Sequence, residues 1–472
     1  MNDARAPGEP RRFLLPAALG VYAAAVALAP KPAGTLALAA PLAAIPLCYW
    51  AILKPARWVV LFFAAALLLP PLPFGFGNSG PHPSVLIVLL GLLSGVLSLG
   101  RWRVNLSRLN GALALFFLVL LGSVAEAAFY SGAAVALGSL ARVMLFGISV
   151  YVFFYTAYGP GADAGGSFAQ ARALYWLAAA SALFACVDFY FQFPAPAGFG
   201  PQFLWLNSGV YRRAQGLFYE ASTLGNFCAF FLVMTATALL SPAARAPVSR
   251  RTLLAGGMVF AAALVLSFSR ASLLNLLVAV ALLVHARRPR IRLGRLMLLL
   301  AGAALAGIAV LRALFPAFAE AYWLRLVVSA QYFFSATEGV LSGRVASWRA
   351  VLAFLAEHPW HALFGVGYKT LPYSDYLGRT VITDNMYLSL LAETGIVGLG
   401  AMLWLSVEIL RAGRRAARSR DPRRAFFGGW IFAFWAGQMV QMLSGDLLTY
   451  WRVMPLYFWV LAVAVRHERS VP

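Results

Sequence analysis

The chain has 472 residues, of which 62% are hydrophobic and 11% charged, with a formal charge of +22. Soluble globular proteins carry nearer about 25% charged residues, so that class is excluded and a polytopic membrane protein is expected. The basic excess does not point to nucleic acid, because the arginines fall in short clusters between apolar runs, and Cys48, Cys186 and Cys228 lie in apolar runs without metal or disulfide spacing.

The opening MNDARAPGEPRR precedes an apolar run without a clear small-residue cleavage site, so that run is expected to be a retained first span. An apolar core of about 30 Å takes about 20 helical residues. On that ruler hydropathy predicts about fourteen spans, near 13–30, 34–53, 58–74, 84–99, 111–130, 134–158, 169–191, 223–241, 252–268, 271–286, 295–315, 383–410, 425–443 and 453–466. The 252–286 run is too long for one crossing, and Ser267-Phe268-Ser269-Arg270 is the one polar interruption at which it can turn.

Charge fixes the expected orientation. With both termini cytoplasmic, basic clusters recur at alternate connections: Arg11 and Arg12; Lys54 and Arg57; Arg101, Arg103 and Arg108; Arg172; Arg245, Arg250 and Arg251; Arg287 to Arg295; Arg411 to Arg424; Arg466 and Arg469. The expected fold class is therefore all-α, with four regions: N-terminal membrane helices at 1–191; central helices at 192–315, including a first periplasmic loop at 192–222 and the Arg270 turn; a large periplasmic loop at 316–382; and C-terminal membrane helices at 383–472. Ser342 to Glu357 reads as a helix with Trp348, Leu352 and Leu355 on one side, lying on the bilayer surface.

Once topology explains the inner arginines, the outer basic residues become informative: Arg212, Arg213, Arg270, Arg325, Arg344, Arg349, Lys369 and Arg379. Guanidinium forks match phosphate oxygens, so several gathered at one leaflet suit a lipid-linked diphosphate. Their alternative is solvation, or pairing with Glu220, Glu320, Glu338, Glu357 or Asp375. Arg270 stands apart, since it lies in a turn where the inside rule does not explain it.

Asp384, in Thr383-Asp384-Asn385, stands where the second long loop enters a helix. It can cap that helix or act as a general base toward a sugar hydroxyl. Glu220 has the same two options before its own span, and could also hold Arg213 or Arg270 in place. Glu126 and Arg142 are expected to pair across the 111–158 hairpin. No D-x-D pair occurs in an outer loop, and His82, His358 and His361 lack metal-site spacing, so a transferase here would rely on arginines for the charge work that a divalent cation otherwise does.

Asp384-Asn385-Met386-Tyr387-Leu388 followed by Glu393-Thr394-Gly395-Ile396-Val397-Gly398 resembles a signature of the O-antigen ligase and polymerase superfamily of bacterial inner-membrane proteins. Ser342-Gly343-Arg344 with Trp348, Glu357-His358-Pro359 and Gly365-Val366-Gly367 are similar to that family's loop pattern. So are Arg213-Ala214-Gln215-Gly216 with Glu220-Ala221-Ser222, and the Ser269-Arg270 turn. The resemblance covers roughly 205–400. It departs in Asp384, where ligases usually have histidine, which favours a polymerase, and in Ala221, where the family commonly has proline.

The resemblance implies a membrane-embedded glycosyltransferase working on the periplasmic side without metal, cofactor or nucleotide sugar. Its donor would be an undecaprenyl-diphosphate-linked glycan, and its acceptor another glycan or lipid A-core. Membrane lipid and other polysaccharide-assembly proteins would be its surroundings, and nucleic acid would not be a partner. Carried over, Arg213, Arg270 and Arg344 would hold the donor diphosphate, Asp384 would be the base, and Asn385 would support it alongside Glu220. The alternatives are a ligase, a lipid-linked sugar flippase, or a scaffold of an assembly complex.

Overall fold

The computed structural model describes residues 57–72, 82–159, 164–193, 200–206, 209–218, 220–240, 246–286 and 344–466, with isolated positions in 21–49 and 309–324. The expected spans at 13–30, 34–53 and 295–315, and Arg325, lie outside the described residues or touch them only at isolated positions. The chain is an all-α polytopic membrane protein. Its helices are α1 (Arg57–Leu68), α2 (Pro83–Leu97), α3 (Arg108–Tyr158), α4 (Ala164–Phe191), α5 (Ala221–Leu239), α6 (Arg250–Leu266) and α7 (Arg270–Ala286), then α8 (Arg344–Glu357), α9 (Pro359–Phe364), α10 (Met386–Ala417), α11 (Pro422–Gln441) and α12 (Met454–Val465).

The split of 252–286 at Ser267–Ser269 is found as expected, with Phe268 at φ +51 in the turn between α6 and α7. The α3 rod folds back at Gly132, whose φ of +82 suits a residue without Cβ. Asn110 Nδ2 donates to Tyr158 Oη at 2.8 Å across that hairpin, and Phe116 and Phe146 pack with ring centroids 5.4 Å apart. Glu126 and Arg142 do not form the expected pair among the ion pairs of the described residues. The Arg142 guanidinium lies instead 4.0 Å from the centre of the Tyr373 ring, whose π face attracts the cation.

The first long loop holds a small feature not expected from its proline- and glycine-rich sequence. Strands β1 (Phe203–Leu206) and β2 (Gly209–Arg212) pair antiparallel, with Phe203 opposite Arg212. This hairpin delivers Arg213 to the α6–α7 turn.

Hydropathy predicts 383–410 as one span, and here the structure differs. Tyr387 Oη donates to Met439 O at 2.8 Å, while Gly413 abuts Phe432 and Ala416 abuts Gly428. A straight helix would put residues 387 and 416 about 44 Å apart, against about 17 Å for 428–439. The chain therefore folds back at Gly395 (φ +66, ψ −172). Carbonyls freed at the break are satisfied by the second loop: Val366 N–H donates to Ala392 O at 3.1 Å and Gly367 N–H to Glu393 O at 2.9 Å. A Cβ on Gly395 would sit 2.0 Å from Leu363 O. Gly395→Ala is thus expected to destabilise the protein by at least about 3 kcal/mol, read as a lowered midpoint of thermal unfolding in detergent; an unchanged midpoint would contradict the fold-back.

The bundle interior combines Trp58, Trp430, Trp435 and Trp459, all at most 2% exposed, with a polar lattice. Asn226 of α5 and Asn275 of α7 donate to Gln441 Oε1 of α11 at 2.8 and 2.9 Å, Gln441 Nε2 donates to Ser272 Oγ, and Tyr457 Oη of α12 donates to Asn226 Oδ1. In an apolar medium such bonds set which helix faces meet. Asn226 and Asn275 lie about 9 and 8 Å along their helices from Glu220 and Arg270, so the lattice braces the elements that carry those two side chains.

On α8 the buried residues are Val351 and Leu355, whereas Leu352 is 53% exposed. The expected face is therefore shifted toward Val351. Trp348 from it donates Nε1–H to Thr383 O at 2.7 Å.

Candidate active site

Three connections meet here: the hairpin leading to Arg213, the α6–α7 turn, and the loop 381–385 before α10. Arg213 is fixed from both sides of its backbone, its N–H donating to Gln202 O at 2.8 Å and the next residue, Ala214, to Leu266 O at 2.9 Å. Its side-chain Nε donates to Ser267 O at 2.9 Å, leaving the terminal nitrogens of the fork beyond that bond. Burial holds the Arg213 guanidinium below its usual range, and the nearby charges of Arg270 and Arg344 act the same way, against Tyr450 and Glu220. Such crowding of like charge is costly without an anion.

Arg344, from the start of α8, donates Nε–H to Asp384 Oδ2 at 3.0 Å. Asp384 keeps 47% of its side chain exposed, so a substrate can reach it. Its φ of +46 is a left-handed conformation, which costs a non-glycine residue on the order of 1–3 kcal/mol. The surroundings hold it there: Val381 N–H bonds Leu371 O at 2.9 Å, Trp348 bonds Thr383 O, and Thr383 bonds Ser389. Asp384 does not cap α10. That task falls to Asn385, whose Oδ1 accepts from the N–H groups of Tyr387 and Leu388 at 3.1 Å. The carboxylate is free for other chemistry.

Glu220 is likewise relieved of capping. Its side chain accepts from no backbone N–H at the helix start, and Gln202 Oε1 accepts the Ala221 N–H at 2.8 Å instead. Ser222 Oγ donates to Glu220 Oε2 at 2.8 Å. Burial raises the Glu220 carboxyl above its usual 4.5; Ser222 opposes that shift and Asp384 adds to it. A carboxyl raised in the fold binds more protons folded than unfolded, so stability falls as pH rises from about 4.5 toward the folded value. Glu220→Gln is expected to remove that slope, so that the difference in unfolding midpoint between variant and native chain grows in the variant's favour across this window. A pH-independent difference would speak against it.

Of the other outer cations, Arg212 pairs with Asp188 at 3.3 Å and Arg379 is exposed. Lys369, at φ +57, is buried and paired with Asp446. Burial pulls its ammonium down, but the charges of Asp446 and Glu393 outweigh that and the net shift is upward. Among the described residues Arg212, Arg344 and Lys369 pair with Asp188, Asp384 and Asp446 rather than with Glu220, Glu320, Glu357 or Asp375, and Glu338, also expected as a partner, lies outside the described residues.

Sequence reasoning missed Asp446, Tyr450 and Arg452, all in the connection between α11 and α12. Burial raises the Tyr450 phenol, and Glu220 adds to it. Arg452, 1% exposed, donates Nε–H to Ala66 O at 2.9 Å and Nη2–H to Leu69 O at 3.1 Å, and also reaches Leu217 O, tying the end of α1 to the segment after Arg213. The one available signal was topological, since Arg452 precedes the last span on the side expected to be outer, where the inside rule again gives no reason for it.

Among the described residues no group of three His, Cys, Asp or Glu side chains is placed to share a metal ion. What the site offers is an exposed carboxylate in contact with one guanidinium, a second guanidinium, that of Arg213, bonded from the hairpin to the α6–α7 turn, and a third, that of Arg270, at the end of that turn. No curated protein matches the chain. Residues 255–403, about a third of the chain, match the family described as O-antigen ligase, a stretch that takes in Arg270, Arg344 and Asp384 but not Arg213 or Glu220, and this match supports the resemblance to the O-antigen ligase and polymerase superfamily and a ligase- or polymerase-like activity in general.

Proposed function

We propose that this protein polymerises polysaccharide repeat units at the periplasmic face of the inner membrane, taking the growing glycan from undecaprenyl diphosphate. Asp384 takes the proton of an acceptor sugar hydroxyl. That oxygen attacks the anomeric carbon, the bond from that carbon to the diphosphate breaks, and the diphosphate leaves with the electron pair, giving inversion. Arg213, Arg270 and Arg344 bind the diphosphate and neutralise the charge that grows on it. Asn385 holds the helix start, so that Asp384 can point away from it. The four regions expected from hydropathy remain the proposed organisation of the chain around this site.

The observation that carries this reading is the Arg344–Asp384 contact. A guanidinium has five donors in a planar fork, so Arg344 can hold the carboxylate through Nε and present its other nitrogens to phosphate, coupling base and leaving-group clamp. A ligase would use the same parts with lipid A-core as acceptor. The flippase reading needs a polar path to the other leaflet, and the polar lattice beneath the site is buried and bonded helix to helix.

Purified protein incubated with a lipid-diphosphate-linked repeat unit, EDTA and no other acceptor should give a glycan ladder. Product formed only when lipid A-core is supplied would make it a ligase. Intact donor crossing vesicles with no product under either condition would make it a flippase.

A further inference from the structure

The end of α10 opposite Asp384 carries Arg411, Arg414, Arg415 and Arg418, at the i, i+3, i+4, i+7 spacing of a single helical stripe. All four are exposed, and together they line a shallow recess of 270 Å³. The same face, followed back toward Gly395, exposes Val407, Trp404, Leu403, Val397 and Ile396. Stepping 100° per residue, these apolar positions and the four arginines fall within one sector about 120° wide. The opposite face is locked: Gly413 abuts Phe432, and a Cβ on Gly428 would meet Ala416 and the Ala417 backbone at 2.4 to 2.6 Å.

The arginines therefore continue a lipid-facing stripe beyond the apolar zone, at the depth of headgroups. The inside rule asks only for positive charge on this side, not for its alignment with the lipid-exposed face. Local carboxylates leave most of the charge unanswered. Glu408 accepts from Arg411 at 2.7 Å, and both oxygens of Asp421 are taken by the N–H groups of Arg423 and Arg424. Among the ion pairs of the described residues, Arg414, Arg415 and Arg418 have none.

We propose that this stripe is a binding site for the phosphate headgroups of anionic phospholipids in the leaflet opposite the candidate active site. Acyl chains lie along Val407, Trp404 and Leu403, while phosphate oxygens accept from the guanidinium forks. The inference is independent of the reaction proposed above.

Native mass spectrometry of the full chain in detergent, titrated with diphosphatidylglycerol or with phosphatidylcholine, tests it. Clear preference for the anionic lipid is expected, lost by on the order of 100-fold in the triple variant Arg414→Gln, Arg415→Gln, Arg418→Gln. The corresponding triple lysine variant keeps the topological charge, guards against misinsertion, and should bind more weakly than native protein because it lacks the fork. Absence of preference in native protein overturns the proposal. So does preference retained by the glutamine variant, lysine binding equal to native, or full displacement by inorganic diphosphate, which would mark a soluble-anion site.

Discussion

Asp384→Asn is expected to lower glycan transfer by on the order of 10²–10⁴-fold, the range for loss of a positioned general base, with little change in fold. Asparagine has the same shape and tolerates positive φ as well as aspartate does, so the strained backbone at +46 stays in place. It can still accept the Arg344 Nε–H through its amide oxygen, but can no longer take a proton from the acceptor. The informative measurements are single-turnover transfer by gel, donor binding by native mass spectrometry and thermal unfolding. Transfer should collapse while the other two hold. Turnover at the native rate would remove Asp384 from the mechanism. Asp384→His adds a second arm. Histidine is also enriched at positive φ and carries a base, so measurable transfer by this variant would separate the need for a base from the need for a particular side-chain shape.

Arg213→Lys should reduce kcat by on the order of 10²–10³-fold, the magnitude seen when a preorganised donor to a developing anion is removed. Lysine keeps the charge but cannot hold the Ser267 carbonyl through one nitrogen while presenting others, fixed in a fork, to an anion. The loss should fall mainly on kcat, because the charge on the departing diphosphate is greatest in the transition state. A purely structural role would instead show in the unfolding midpoint with kcat little changed. Combined with Arg270→Lys, the losses should be less than additive, since both cations act on one diphosphate.

Much of this molecule is written in one-dimensional patterns. Alternation of apolar runs with basic clusters gives the membrane class and the turn at Ser267–Ser269. Asp384 and Arg270 stand out because neither hydropathy nor the inside rule gives a reason for them. These features are legible because they depend on transfer of a local segment between water and lipid, which composition alone determines.

What the tertiary structure decided is the identity of partners. Lys369 and Asp446 are 77 residues apart in sequence, and Arg452 bonds carbonyls 235 and 386 residues away. No local pattern encodes such a pairing. The capping roles turned on neighbours too: Asn385 takes the α10 start and Gln202 reaches over to α5, which frees Asp384 and Glu220. The fold-back at Gly395 is invisible to hydropathy, which measures how apolar a segment is and not the direction in which it runs. A buried polar or charged group must find its counterpart somewhere in the fold, and which counterpart it finds is settled only when distant segments pack together.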